Sequence, residues 1–431
     1  MNFSRMENII ILLLAITVAT TATAFVLQFV QDSFSGQQIS VLSNLASIPA
    51  AKIYIPPQKL SNPPEIIKGI YVTGYSAGSK KYLDYLSGLF KNTEINAVVV
   101  NIKGSDGYAT YNSGAPDVQK YGLYYSAIKD IDALVRFFHD KNIYVIGRIA
   151  VFEDPGFSKA RPELAIYDKS KSALTDNSIE LSDRLWKDNN GLSWLDPASK
   201  EVWDYNISLA KDALYHGFDE INFDYIRFPS DGNIKNMGFP VWDGKTSKAD
   251  VIKSFFEYVH QQLAGDPPPS RQGGTSAWRG KISVDLFGQT TTNTDDMGIG
   301  QVIEDAFENF DYISPMVYPS HYIDGFMGFD NPADHPYNIV NYEMSVALQR
   351  EKTFLDKLIS TPGVGTDVNA TINLAKFRPW LQDFNMGAYY TAEKVEAEIK
   401  ATQDALGNEY VGYMLWNPSN IYTEGAILKP N

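Results

Sequence analysis

Two aspartates draw the eye because each closes a short run of strand-forming residues. Asp224 lies in EINFDYIRF (Glu220–Phe228) and Asp285 in KISVDLFG (Lys281–Gly288). Successive side chains of a strand point to opposite faces. Ile221, Phe223 and Tyr225 form the apolar set of the first run, which leaves Glu220, Asn222 and Asp224 on the other face. In the second run Ile282, Val284 and Leu286 share a face, and Ser283 and Asp285 take the opposite one. In a closed barrel these polar faces look toward the axis. The same parity turns Asn101, Lys103, Arg148, Tyr318, Gln382 and Trp416 inward near the C-terminal ends of their strands. Barrel interiors are normally apolar, so a polar ring at that end marks a site. Two carboxyl groups flanking a glycosidic bond can divide the work of hydrolysis. One protonates the leaving oxygen, and the other attacks the anomeric carbon or activates water. Amides, phenols and cations around them can hold sugar hydroxyls, and Trp416 can supply a stacking floor.

Each residue also has a plainer use. Asp224 can form a structural ion pair with Arg148 or Arg227, and Asp285 can be an orienting hydrogen-bond group. Lys103 and Arg148 can simply neutralise carboxylates, while Glu153 and Asp154 can cap a helix or brace a loop, because structural ion pairs also populate clefts.

The elements needed to position these groups recur along the chain. Strand-like runs occupy Gly69–Thr73, Ala97–Lys103, Ile143–Phe152, Glu220–Phe228, Lys281–Gly288, Tyr312–Tyr318, Arg378–Phe384 and Val411–Trp416. Helix-like stretches separate them, among them KKYLDYLSGLF, DIDALVRFFHDK, SKEVWDYNISLAKDAL, DVIKSFFEYVHQQL and AEKVEAEIKATQDAL. Eight such alternations predict an α/β fold of the (β/α)8 TIM-barrel type. The first strand leads into Tyr75-Ser76-Ala77-Gly78, which lacks the glycine pattern of a dinucleotide-binding open sheet. Long connections at Asp154–Pro197, Pro229–Lys248 and Pro319–Pro336 follow strands and so belong to the expected active face. Asp266–Gly280 follows a helix and belongs to the opposite face.

Composition narrows the function. The 431 residues carry a net charge of −14, which argues against nucleic acid as a partner. Without cysteine there is no disulfide, thiolate metal site or cysteine nucleophile. The 5 histidines form no H-x-H or H-E-x-x-H pattern, so neither a metal nor another cofactor is expected. Aromatics make up 13%, which suits both a large core and a sugar-binding cleft.

Ile9–Val30 is an uncharged apolar run long enough to span a bilayer. Arg5 precedes it and no basic residue follows until Lys52, a bias that places the bulk of the chain outside the cytoplasm. Ala22-Thr23-Ala24 also resembles a signal-peptidase site, so cleavage after Ala24 is the alternative to a retained anchor. The expected organisation is an anchor or signal at 1–30, a polar and proline-bearing linker at 31–64, and a barrel at 65–431.

FDEINFDYIRFP (Phe218–Pro229) resembles the signature of a glycosyl hydrolase domain family long described as a domain of unknown function. GIYVTGYSAG, NAVVVNIKGSDG, YVIGRIAVFEDP, SPMVYPSHY, RPWLQDF and the C-terminal VGYMLWNPSNIYTEG segment agree with it in order, over residues 65–428. The resemblance implies a distant kinship with α-amylase-like barrels, whose nucleophile is an aspartate at the end of the fourth strand, the position of Asp224. Those enzymes carry a glutamate acid/base after the fifth strand, where this chain has Asp285. Asn222 stands where true α-amylases have arginine, so starch specificity is not implied. Lys103, Arg148, Arg227, Tyr318, His321, Gln382 and Trp416 are the candidate substrate-binding residues. The expected activity is hydrolysis of an extracellular or cell-envelope polysaccharide or oligosaccharide. A non-catalytic carbohydrate-binding or envelope-scaffold barrel is the alternative, distinguished by binding without sugar release. The charge bias makes one direct prediction. Protease added to intact cells should digest the domain, and protection until lysis would exclude this topology.

Overall fold

The computed structural model describes Tyr54 and residues 56–172, 180–264, 280–360 and 373–429. The chain divides into two units, Met1–Ile55 and Pro56–Asn431. The apolar run at Ile9–Val30, the Ala24 junction and the linker up to residue 53 lie outside the described residues. Among the described residues no helix is long and apolar enough to cross a membrane.

The second unit is a closed barrel of eight parallel strands. They are β1 (Ile67–Val72), β2 (Ala97–Lys103), β3 (Tyr144–Ala150), β4 (Glu220–Asp224), β5 (Lys281–Phe287), β6 (Tyr312–Met316), β7 and β8 (Gly412–Trp416). β7 comes in two pieces, Lys376–Phe377 and Trp380–Gln382, broken at Arg378-Pro379, where proline has no N–H for the ladder. Each strand pairs with the next. The ring closes because β7 pairs with both β6 (Tyr312 opposite Lys376) and β8, and β8 pairs with β1 (Ile67 opposite Gly412). The longer helices among the described residues are α1 (Lys80–Asn92), α2 (Ile131–His139), α3 (Lys200–Tyr215), α4 (Lys248–Leu263), α5 (Pro336–Ser360) and α6 (Ala392–Leu406). After β5 a short 3-10 turn, Ile303–Ala306, stands in the helix position.

Local sequence explains the elements. In α2, Ile131, Leu134, Val135 and Phe138 recur at helical spacing and are buried, and Asp130 caps the N-terminus by accepting from Ala133 N at 2.9 Å. Ser247 caps α4 in the same way through Asp250 N. The larger apolar cluster fills the space between strands and helices. A smaller one, including Ile67, Ala97, Val99, Ile146, Trp380 and Met414, comes from inward positions and fills the barrel. Below it a buried ion pair joins Arg378 to Glu220, which also accepts from Tyr144 Oη at 3.2 Å. The chain before β1 lies along the N-terminal end of the barrel, where Leu60 N donates to Asp219 at 2.7 Å.

One expected inward residue goes the other way. β2 pairs Asn101 with Arg148 but Lys103 with Ile149, so Ile102 is an extra residue. The bulge turns Lys103 away from the barrel axis and toward the helices. There its ammonium donates to Ala150 O at 2.5 Å and Asn206 at 3.2 Å, and it pairs with Asp154 at 2.6 Å, both side chains fully buried. Lys103 is therefore a structural cation and not a substrate contact. Lys103→Met should cost about 3–5 kcal/mol because Asp154 is left buried and uncompensated. Adding Asp154→Asn should recover much of that loss. Denaturant unfolding of the three proteins checks both signs.

Candidate active site

At the C-terminal ends of the strands lies a cleft of about 530 Å³. Every strand contributes: Tyr71, Asn101, Arg148, Asp224, Asp285, Phe287, Met316, Trp380 and Trp416, with Ser105, Tyr225, Arg227, Tyr318, His321 and Tyr322 from the loops.

Asp224 ends β4. Its Oδ1 accepts from the N–H of Tyr225 at 2.6 Å, and its Oδ2 accepts from Arg148 Nη2. Tyr225 has φ +55°, a conformation that side-chain-bearing residues rarely adopt, so the backbone turns sharply at the carboxylate. The β3 end holds this turn, with Val151 N donating to Asp224 O at 2.9 Å.

Arg148 sits between the two aspartates. Its Nη1 donates to Asn101 at 2.8 Å, and its Nε lies 3.9 Å from Asp285 Oδ2. Trp416 lies 5.3 Å from the guanidinium and stacks on Tyr71 with centroids 4.0 Å apart. Asp285 is 1% exposed, and its Oδ1 accepts from Asn222 Nδ2 and from Trp380 Nε1, each at 2.8 Å. Burial, followed by the charge of Asp224, pushes its pKa well above the carboxylate range. Both Oδ1 contacts are donors, so a proton on Asp285 belongs on Oδ2. The site thus holds an ion-paired carboxylate beside a carboxyl whose raised pKa favours the neutral form, the kind of division that acid–nucleophile chemistry uses. Among the described residues no three His, Asp or Glu side chains gather as a metal site needs.

A family described as "Putative glycosyl hydrolase domain" matches residues 69–422. This chain belongs to that family. The match runs from β1 through β8 and so takes in the whole cleft. A crystal structure of a hypothetical protein from Ruminiclostridium thermocellum is 37% identical over 53% of this chain and 98% of its own, with a TM-score of 0.40. The glycoside hydrolase domain of PgaB (BpsB) from Bordetella bronchiseptica is 12% identical over 82% of this chain and 94% of its own. Its TM-score of 0.52 reflects a shared fold. No curated protein matches the chain.

In this glycosyl hydrolase domain the residues singled out by strand parity and motif fall into two groups. Asp224, Asp285, Arg148, Arg227, Tyr318, His321 and Trp416 share the cleft. Arg227 lies over the rings of Trp194 (4.7 Å) and Phe287 (4.9 Å), and His321 stands on the exposed rim. Lys103 is outside, and so is Gln382. Gln382 is fully buried, accepts from Ser320 N at 3.2 Å and donates to Phe384 O at 2.9 Å, so it pins the loop after β6 instead of facing the cavity. Its strand ends at this residue, and alternation stops guiding the side chain where the ladder stops.

Sequence reasoning passed over Tyr71, although its parity in GIYVT faces the axis. It gave Glu153 a helix-capping or loop-bracing role. Glu153 is 4% exposed, and burial with the charge of Asp188 pushes its pKa up to about 7, beside Arg227 and Ser105. The folded pKa lies above the ordinary 4.5, so protonation is favoured in the native state. Its stabilising share is complete below about pH 4.5 and disappears as pH rises through about 7. The Glu153→Gln protein should therefore gain stability relative to wild type by up to roughly 3 kcal/mol between pH 5 and 8. Unfolding measured across that range tests the sign, and a difference independent of pH would refute it.

Proposed function

We propose that this domain hydrolyses glycosidic bonds, with Asp224 as nucleophile and Asp285 as proton donor. The observation that carries this reading is the opposed environment of two carboxyl groups on adjacent strands of one cleft. Asp224 is ion-paired to Arg148, and Asp285 is buried with its Oδ1 occupied by donors. Family membership supports the reaction class.

The double-displacement course follows the resemblance to α-amylase-like barrels. Asp224 attacks the anomeric carbon and forms a glycosyl ester, while Asp285 Oδ2 passes its proton to the departing oxygen. Asp285 is then a carboxylate and takes a proton from the water that cleaves the ester, which returns Asp224 to its charged form. Arg148 faces both groups, so it can compensate whichever carboxylate carries charge. Trp416 and Tyr71 offer a stacking wall, and Arg227, Tyr318 and His321 offer polar contacts to sugar hydroxyls. The substrate is taken as a polysaccharide or oligosaccharide of the cell envelope or exterior. Ile9–Val30 and its flanking charges support export, with the domain tethered through residues 1–30 or released after Ala24.

Asp224→Asn should reduce turnover by several orders of magnitude with folding and glycan binding retained. Asp285→Asn should impair substrates with poor leaving groups far more than activated aryl glycosides, which need little protonation. Because Asp285 holds its proton until pH exceeds its raised pKa, the wild-type rate should fall on the alkaline side, and the asparagine variant should lose that limb. Equal losses on both substrate types would move the acid role to Glu153. Normal turnover in Asp224→Asn would end the proposal.

A further inference from the structure

Beside the cleft, the rim carries a row of tyrosines that the core does not use. Tyr75 is 67% exposed and rides on the short helical turn Gly74–Ala77 after β1. Tyr108 and Tyr125 stand on the connection between β2 and α2, the first at 36% exposure and the second half-buried. The rings of Tyr75 and Tyr125 are nearly parallel, 13° apart with centroids at 5.1 Å, and Tyr108 lies 6.4 Å further along.

The two loops are locked together. A Cβ on Gly78 would meet Ala127 O at 1.9 Å, and one on Gly74 would meet Thr110 at 2.4 Å. Gly107 takes φ +84° with Asp154 Oδ1 only 2.0 Å from where its Cβ would be. Thr73 Oγ1 caps the turn by accepting from Ser76 N at 3.1 Å. These contacts leave no room for side chains and fix the backbone under the rings, so little ordering remains to be paid on binding.

The row is also continuous with the cleft. Ser105 lines the cleft, and Asp106 and Tyr108 follow it in the same loop, with Tyr108 N donating to Asp106 Oδ1 at 3.2 Å. This loop leads from the cleft to the rings of Tyr108, Tyr125 and Tyr75.

We propose that Tyr75, Tyr108 and Tyr125 form a remote subsite for pyranose rings of an uncharged polysaccharide whose scissile bond lies over Asp224. This rests on the glycosidase reading above for the placement of the scissile bond, but not for the binding itself. A flat exposed ring presents an apolar face to the C–H groups of a pyranose, and phenol hydroxyls together with Asp106 meet its hydroxyls. The Asp106 carboxylate and the net charge of −14 disfavour uronate polymers.

The test uses the full-length protein in affinity gels containing soluble starch, galactomannan, xylan, hydroxyethyl cellulose or glycol chitin, with polygalacturonate as the anionic control. Wild type should be retarded by at least one neutral polymer and not by polygalacturonate. The Tyr75→Ala/Tyr125→Ala protein should bind that polymer about tenfold more weakly. The corresponding double phenylalanine variant, which keeps both rings, should retain most of the affinity. Circular dichroism would establish that all variants are folded. No retardation by any neutral polymer, or equal retardation of wild type and the alanine variant, would overturn the subsite. A reducing-sugar assay on the same polymers separates the two proposals. Ring-dependent binding without sugar release keeps the subsite and counts against hydrolysis. Release that the alanine variant does not diminish removes the subsite alone.

Discussion

The site depends on a shortage of positive charge. Arg148 is buried at the mouth of the barrel with two carboxyl groups in reach, Asp224 in direct contact and Asp285 at 3.9 Å. Burying a charge is costly unless it is paired, and one guanidinium pairs well with one carboxylate. Burial and the charge of Asp224 then raise the pKa of the second carboxyl and favour its neutral form. Asn101 takes one guanidinium N–H. Asn222 and Trp380 donate to one oxygen of Asp285, which favours the ion and is outweighed by burial and the charge of Asp224. Arg227 shares the cleft but lies over Trp194 and Phe287, and a second cation in contact with Asp285 would favour its ionised form and shrink the difference between the aspartates.

Lys103 is the residue that strand parity put forward for that second position. Alternation is a sound guide while the ladder is regular, which is why Arg148, Asn222, Asp224, Ser283 and Asp285 were legible as one facing set. A single inserted residue at Ile102 reverses it, and nothing in AVVVNIK signals a bulge. The eight strand positions were legible because each is a short run of β-branched, aromatic or other apolar residues with polar punctuation. The 25-residue α5 was not singled out among the helical stretches. Its buried stripe includes Glu343 and Glu351, and Tyr342 and Ile359 are exposed, so hydropathy does not trace the face that packs. The raised pKa of Glu153 was beyond reach for another reason: it comes from burial and then from Asp188, and both arise only after the loops fold.

The interior of the barrel alternates chemistry by level. The Glu220–Arg378 pair lies at the bottom, with Tyr144 hydrogen-bonded to Glu220 and the ring of Tyr312 4.1 Å from the guanidinium. Apolar side chains including Ile146, Val99 and Met414 fill the middle, and the Arg148–aspartate group forms the top. Trp380 joins the last two levels, because its ring packs in the apolar layer while its N–H reaches Asp285. Packing below thus sets the position of the Asp285 carboxyl above, and a cavity made at Trp380 would loosen both.

That layering also governs traffic. Glu220 and Arg378 are fully buried and Trp380 is 1% exposed, so the barrel is plugged beneath the aspartates and the cleft is a blind pit. In the proposed hydrolysis the fragment protonated by Asp285, the water that follows it and the sugar finally freed from Asp224 would all use one opening. They would have to pass in sequence: the first fragment clears the mouth before the water takes its place, and the second product cannot leave by a back door. Turnover in such a pit is a matter of queueing, with the walls of the entrance deciding how quickly each occupant yields to the next.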